Sequence, residues 1–240
     1  MNLNIIAGKR IGDDMSKPRF PAGSGMVPEA FAMTLMLCGP DKSVDEYIAC
    51  FKENVVWVKG MSGSERRLAF KRGDLNGTRE NPATYQKHVE PDANAELWFH
   101  HGLLDPTTGN HVDDTNYPAG YQVEQIFEAR WGVAPSGEFY DAYKLVKSFR
   151  DGMQKALWVR KDNPNAAALQ AALTAMSKDP KATANIQKKV GVYDWKIGAD
   201  GNAHRDVLMT FITETALRNL VKFNTEALGL KSVYKENLIK

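Results

Sequence analysis

The chain has little of several features that would assign it to a class of protein. It contains two cysteines, and neither has a CxxC partner or a nearby histidine, so no metal site is predicted at them. Its 31 basic and 29 acidic residues leave a formal net charge of +2, which gives no electrostatic preference for nucleic acid or acidic membranes. No run of residues approaches the roughly 18 apolar positions of a membrane-spanning helix.

Targeting and catalytic motifs are also missing. Residues 1–10 lack the basic start, apolar centre and cleavage site of a secretory signal, so the sequence by itself indicates a soluble, cytoplasmic protein. There is no Gly-x-Ser-x-Gly and no phosphate-binding Gly-Lys-Ser/Thr loop. Cys38 and Cys50 have no basic activator, and their spacing leaves two interpretations open, a pair of buried thiols or a disulfide.

The most informative segment that is present runs from Val55 to Asn81. Val55 to Val58 is typical of a buried strand, and Ser62 or Ser64 can cap a helix with Glu65 in its first turn. A return strand follows, and such a unit favours a parallel α/β sheet with a ligand at its strand ends. The basic residues of the helix are predicted to form a solvated face; they are Arg66, Arg67, Lys71 and Arg72.

Short strands and helices alternate along the rest of the chain, which predicts the α/β class. Strands are expected at Leu3–Ala7, Glu96–Phe99 and Lys155–Arg160. Residues 105–121 are rich in turn formers and are predicted to be irregular. Helices are expected to begin at Pro28, Ser43, Asn81, Gln122, Gly137, Asn163 and Asp179, with one long helix over residues 205–228.

Two places have the chemistry of a site. Gly23-Ser24-Gly25 leads into a helix, where open N–H groups can hold a carboxylate or phosphate, although the local sequence alone favours an ordinary capped helix start. The second place contains ligand types for a metal, but adjacent histidines on a strand face opposite sides and no HExxH spacing occurs. A polar surface loop is the favoured interpretation of these residues, which are His100, His101, Asp105, His111, Asp113 and Asp114.

Several of these segments together resemble one family. They are Val58-Lys59-Gly60, Gly63 to Arg67, Arg72-Gly73-Asp74, Leu157-Trp158-Val159 with Asn163-Pro164, and Leu173 with Lys178-Asp179-Pro180. In this pattern the chain is similar to the extracytoplasmic solute receptors of tripartite tricarboxylate transporters. The resemblance implies a type II periplasmic-binding-protein fold, in which two α/β lobes close over a carboxylated ligand without catalysis.

The resemblance also implies site residues. Gly23, Ser24, Gly25 and Met26 would hold one carboxylate at a helix N-terminus. Thr78, Arg79, Glu80 and Asn81 would border the cleft. A periplasmic location follows from the family, and it gives weight to a Cys38–Cys50 disulfide. No metal and no cofactor are expected, and the partners would be a small organic acid and the membrane subunits of a transporter, with no nucleic acid.

The chain departs from the family pattern at its start, because the signal and the first strand of the first lobe are not found. We therefore expect a complete second lobe over residues 1–110, a hinge with linking helices over 111–154, and a return to an incomplete first lobe over 155–240. An incomplete lobe leaves an open sheet edge and predicts self-association. Two alternatives stay open: a metal-dependent hydrolase that uses His100 or His101 with His111 and Asp113, and a binding-fold remnant that acts as an interaction module.

Overall fold

The structure is a computed structural model that describes residues 4–7, 17–22, 27–105, 107–153, 156–160, 162–190 and 195–231. Helices and short strands are mixed along the chain, as the sequence predicts. The strands are β1 (Asn4–Ala7), β2 (Arg19–Pro21), β3 (Val56–Val58), β4 (Gly77–Glu80), β5 (Glu96–His100), β6 (Leu103–Leu104) and β7 (His111–Val112). The helices are α1 (Val27–Cys38), α2 (Val44–Asn54), α3 (Gly63–Lys71), α4 (Pro82–His88), α5 (Val123–Trp131), α6 (Glu138–Met153), α7 (Ala166–Lys178), α8 (Pro180–Val190), α9 (Ala199–Met209) and α10 (Glu214–Glu226).

The main sheet has the strand order β4-β1-β5, and both of its pairings are antiparallel. β3 instead pairs in parallel with β2 in a separate two-stranded sheet, and this pair has the predicted parallel arrangement. Two hydrogen bonds between Arg19 and Asn76 link β2 to the residue that precedes β4. β4 thus follows α3 as expected, but it pairs with β1 rather than with β3, because strand partners depend on contacts between distant residues.

Helix α1 lies at the centre of the core. Eleven of its 12 residues are buried, including Glu29 and Thr34, so this helix has no solvent face. It packs against α2, α5 and α6, and the ring of Phe31 lies 4.7 Å from Phe139 and 4.3 Å from Phe223. Because Phe223 belongs to α10, the C-terminal part of the chain shares this core.

A disulfide joins the end of α1 to α2. Cys38 and Cys50 are bonded, with their Cα atoms 6.2 Å apart, which confirms the disulfide. The next helix start is confirmed as well, because the Ser43 side chain and Glu46 form a reciprocal capping box.

The long helix predicted over residues 205–228 is wrong, since two helices occupy this region. Thr210 donates its hydroxyl to the Val207 carbonyl at the end of α9, and Thr213 accepts from the Ala216 N–H at the start of α10. Threonine hydroxyls compete in this way for backbone groups and separate two helices that share one apolar pattern.

The strand predicted over residues 155–160 is also wrong in the part that the structure describes. Residues 156–160 have no regular secondary structure, and Leu157 and Trp158 are 71% and 68% exposed. An apolar segment forms a strand only where a neighbouring strand accepts its hydrogen bonds. α7 follows on the outside, and none of its described residues is buried.

Among the described residues, no helix combines the length and the apolar content that crossing a bilayer requires.

Candidate functional site

The candidate site lies where the N-terminal turn of α1 meets one face of the main sheet. Arg79 on β4 and Phe99 on β5 both stand opposite Ile5 of β1, so their side chains share a face. His101, two residues beyond Phe99, continues that face, and Glu29 points toward it from α1. The sheet register and the buried helix therefore bring together three ionisable side chains that are far apart in the sequence.

Glu29 is the centre of this cluster. It is 1% exposed, and its Oε1 lies 3.4 Å from Nε of Arg79 and 3.7 Å from Nε2 of His101. Both distances allow strong charge attraction but exceed that of a normal hydrogen bond. Among the described residues, neither carboxylate oxygen of Glu29 has a hydrogen-bond partner, and the same holds for Nε and Nη2 of Arg79. The cluster thus contains buried polar atoms whose hydrogen-bonding capacity is unused.

A second guanidinium belongs to the helix that precedes β4. Arg66 on α3 is half-buried, and its Nε has no hydrogen-bond partner among the described residues. Burial and then the positive charge of Arg79 lower the pKa of Arg66. The negative charges of Glu80 and then Glu29 act in the opposite direction on Arg66. Like charges placed together in a partly desolvated site are unfavourable unless an anion neutralises them.

Glu29 remains ionised despite its burial. Burial opposes ionisation, but the adjacent His101 and then Arg79 outweigh it, so the pKa of Glu29 lies below its ordinary value. The start of α1 adds a favourable field, because the helix dipole is positive at this end. The site therefore has a fixed negative charge within a positive surround.

A buried hydrogen-bond network holds the ring of His101. Its Nδ1 lies 2.8 Å from the hydroxyl oxygen of Tyr143, over whose ring the Lys147 ammonium sits at 5.0 Å. Lys147 in turn donates to Glu124 at 2.8 Å, and the Tyr140 hydroxyl donates to the same carboxylate. This network is balanced in charge, so it positions His101 without adding a net charge beside Glu29.

The opposite face of the sheet has a different set of contacts. Thr78 is fully buried there, and Glu80 accepts a 2.9 Å hydrogen bond from Arg67. His100 stacks on Tyr117, with its Nε2 3.2 Å from Oδ1 of Asp113.

The basic residues of α3 do not all lie on the solvated face that the sequence predicts. Arg66 and Arg67 are partly buried, because α3 packs against β4.

The histidines of the metal hypothesis do not converge. His100 contacts Asp113, His101 contacts Glu29, and Nε2 of His111 lies 3.3 Å from the Ser148 hydroxyl. Within the described ranges, no group of three or more His, Cys, Asp or Glu side chains has a geometry that could hold a metal ion. This arrangement gives no support to a metal-dependent hydrolase.

The residues predicted to bind ligand have several outcomes. Gly23, Ser24, Gly25 and Met26 lie outside the described residues. Arg79 is in the cluster, whereas Thr78 and Glu80 point to the other face of β4. Asn81 caps α4 by accepting from the Thr84 N–H at 3.0 Å, so its side chain has a structural role.

The sequence interpretation missed Glu29 as a site residue, and it considered His101 only as a metal ligand. The basic run on α3 was visible in the sequence, but the sequence does not show which of its arginines pairs with Glu80. A shallow depression on the outside of α7 contains no comparable cluster; it is lined by Ala167, Gln170, Ala171, Thr174, Ala175 and Lys178.

Comparisons of the chain with protein-family models, with curated proteins and with solved structures found no match.

Proposed function

We propose that this chain is a non-catalytic binding protein for a small organic acid. In this proposal it has the two-lobed type II periplasmic-binding-protein fold and serves as a solute receptor of a tripartite tricarboxylate transporter. The mixed helix and sheet architecture is compatible with that fold, and the resemblance of the sequence motifs supports the family.

The observation that carries the proposal is the Arg79 guanidinium, whose Nε and Nη2 are buried without a hydrogen-bond partner among the described residues. Guanidinium groups are suited to carboxylates because their N–H donors match the two oxygens. Nε of Arg66 on the neighbouring helix α3 is likewise buried without a partner among the described residues. A bound carboxylate would supply the missing acceptors. Catalysis is not part of the proposal.

The disulfide supports the location. Disulfides persist in oxidising compartments, so the Cys38–Cys50 bond favours the periplasm over the cytoplasm. There the receptor would deliver its acid to the membrane subunits of the transporter.

Thermal unfolding in the presence of mono-, di- and tricarboxylates and aromatic acids tests this function. An acid at 100 times its dissociation constant should stabilise the protein by about 2.7 kcal/mol, which raises Tm by roughly 5–11 °C. Arg79→Gln should abolish the effect, whereas Arg72→Gln is the control, because Arg72 is exposed and pairs with Asp74. If no acid raises Tm, or if both variants respond like the wild type, the proposed function is wrong.

An interaction module is the second candidate, and one observation favours it. Leu157, Trp158 and Val159 are consecutive and exposed, which is unusual for apolar residues in an isolated protein. Light scattering should then show oligomers that dissociate in a Leu157→Ser, Trp158→Ser double variant. A monomer at high protein concentration would contradict this candidate.

A further inference from the structure

We propose that an apolar patch of three consecutive residues, Leu157, Trp158 and Val159, docks the protein on a membrane of anionic phospholipid. The three residues are 71%, 68% and 45% exposed. The inference goes beyond the proposed function and does not depend on it, since the patch shares no residue with the cluster of Glu29 and Arg79.

The patch belongs to a part of the chain that has no core of its own. Between residues 156 and 188, none of the described residues is buried. Turns join the patch directly to α7, because the N–H of Asn163 donates to the Arg160 carbonyl and the N–H of Ala166 donates to the Asn163 carbonyl. α7 packs against α8, and helices of 13 and 11 residues are marginally stable in water without further packing. A partner that covers this surface would therefore stabilise it.

The charge of this region favours an anionic partner. Between α6 and α9 the sequence has eight basic and three acidic residues, a net charge of +5 in a chain whose total is +2. Arg160 directly follows the patch, and Lys178, Lys181 and Lys188 are exposed on α7 and α8. Anionic lipid attracts such a segment by about a factor of five for each Lys or Arg near the surface. The nearly neutral total thus conceals a local positive surface.

Arg160 can exchange its present partner for a lipid phosphate. Its Nε and Nη2 donate to the two carboxylate oxygens of Asp162, at 3.1 and 2.9 Å. The two side chains are 85% and 69% exposed, and an ion pair so exposed contributes little in water. A phosphate offers the guanidinium the same two-oxygen geometry, so Arg160 would lose no hydrogen bond at a membrane surface.

The size and chemistry of the patch favour a lipid surface over a second copy of the chain. Its side chains expose on the order of 300 Å², whereas a stable dimer buries about 800 Å² on each partner. Trp158 combines a large apolar ring with an N–H donor, which suits the boundary between headgroups and acyl chains. Because residues 156–160 have no regular secondary structure, their backbone needs water, which limits insertion to this boundary.

Sedimentation of the whole, oxidised chain with lipid vesicles tests the docking, and no organic acid is added. Vesicles of phosphatidylcholine are compared with vesicles of an equimolar mixture of phosphatidylcholine and phosphatidylglycerol. The protein should bind the anionic vesicles at least about tenfold more tightly than the neutral ones. This difference should shrink when the ionic strength rises from 0.15 M to 1 M, because the Debye length falls from about 8 to 3 Å.

A Leu157→Ser, Trp158→Ser double variant tests the apolar contact. It should bind the anionic vesicles at least about tenfold more weakly than the wild type, because the apolar surface that enters the headgroup boundary is lost. A Leu68→Ser, Met209→Ser double variant is the control, since it removes side chains that are 55% and 51% exposed elsewhere in the chain. The control should bind like the wild type.

Arg160→Gln tests the charged contact. This variant should bind the anionic vesicles about fivefold more weakly than the wild type. Arg72→Gln is its control, because Arg72 binds Asp74 through the same two nitrogens and at the same sequence spacing, but next to the buried Phe70 rather than an exposed aromatic residue.

Tryptophan fluorescence provides a readout that a folding defect would not imitate. Trp158 is the most exposed of the five tryptophans, so phospholipid brominated near the headgroup should quench the wild-type emission. Trp158→Phe keeps an aromatic ring and should still sediment with the vesicles, but most of the quenching should be lost. If the Leu157→Ser, Trp158→Ser variant fails to fold, this comparison decides.

Several results would overturn the inference. They are a wild-type protein that binds neither kind of vesicle or binds both equally, an apolar double variant that binds like its control, and quenching that persists in Trp158→Phe. Oligomers that form without vesicle binding and dissociate in the Leu157→Ser, Trp158→Ser variant would assign the patch to a second copy of the chain, which also overturns it. None of these results bears on acid binding, which is measured without lipid.

Discussion

Replacing both Cys38 and Cys50 with alanine should lower the free energy of unfolding by about 3 kcal/mol. The two residues are 12 positions apart, and in the chain-entropy account a cross-link that closes a loop of this size restricts the unfolded chain by about that amount. Cys38 is also buried at the end of α1, so loss of its sulfur adds a smaller packing term. For a chain of this length, a loss of 3 kcal/mol corresponds to a fall in Tm of roughly 6–12 °C.

Urea unfolding followed by circular dichroism measures this loss. The double alanine variant and the wild type in dithiothreitol should have similar stability, and dithiothreitol should not affect the variant. A loss below about 1 kcal/mol would refute the reasoning, because the closed loop would then restrict the unfolded chain far less than the chain-entropy account requires. If the dependence of the free energy of unfolding on urea concentration also changes, the substitution has instead altered the compactness of the unfolded state.

Three further predictions concern single positions. Arg79→Met should leave Glu29 buried without its cation and lower the free energy of unfolding by about 3–5 kcal/mol. The Glu29→Met, Arg79→Met double variant should unfold at a urea concentration at least as high as that single variant and close to that of the wild type. Equal losses of stability in the two variants would contradict a buried ion pair. Burial lowers the pKa of His111 far below its ordinary 6.5, so below pH 6.5 the unfolded state binds a proton that the folded state does not bind. The free energy of unfolding should therefore fall by about 2 kcal/mol between pH values above 6.5 and pH 5. His111→Gln should remove that part of the pH dependence in denaturation curves, and an unaltered slope would count against the burial of this ring. Gly77→Ala would place its Cβ 2.2 Å from the Phe20 ring and should cost about 1–3 kcal/mol, so an unchanged melting temperature would disprove the close contact of β2 with β4.

Features set by neighbouring residues could be predicted from the sequence. Ser43 with Glu46, Ser62 with Glu65, and Asn81 before Pro82 all begin helices in the structure as expected. These starts depend on side chains that bond backbone groups at most three residues away, so the information is local. Turn-forming residues likewise indicated the turns that follow residue 106, although the two-residue strand β7 lies among them.

Features set by distant residues could not be predicted in the same way. Residues 156–160 have an apolar composition typical of a strand, but a strand also needs a partner, and composition does not supply one. Glu29 was missed because a carboxylate in the first turn of a helix is usually a surface residue that interacts with the helix dipole. Only the packing of α1 on the sheet places it against Arg79. Arg79 itself was predicted through the family resemblance, not from its own surroundings.

Arg66 and Arg67 are consecutive in the chain, yet their surroundings differ. Successive side chains leave an α-helix about 100° apart, so Arg67 meets the Glu80 carboxylate while Nε of Arg66 is buried without a hydrogen-bond partner among the described residues. The rotational phase of α3 thus decides which of the two arginines forms the ion pair. A rotation of the helix by one residue would exchange them without altering total charge, and a count of basic residues would not register the difference.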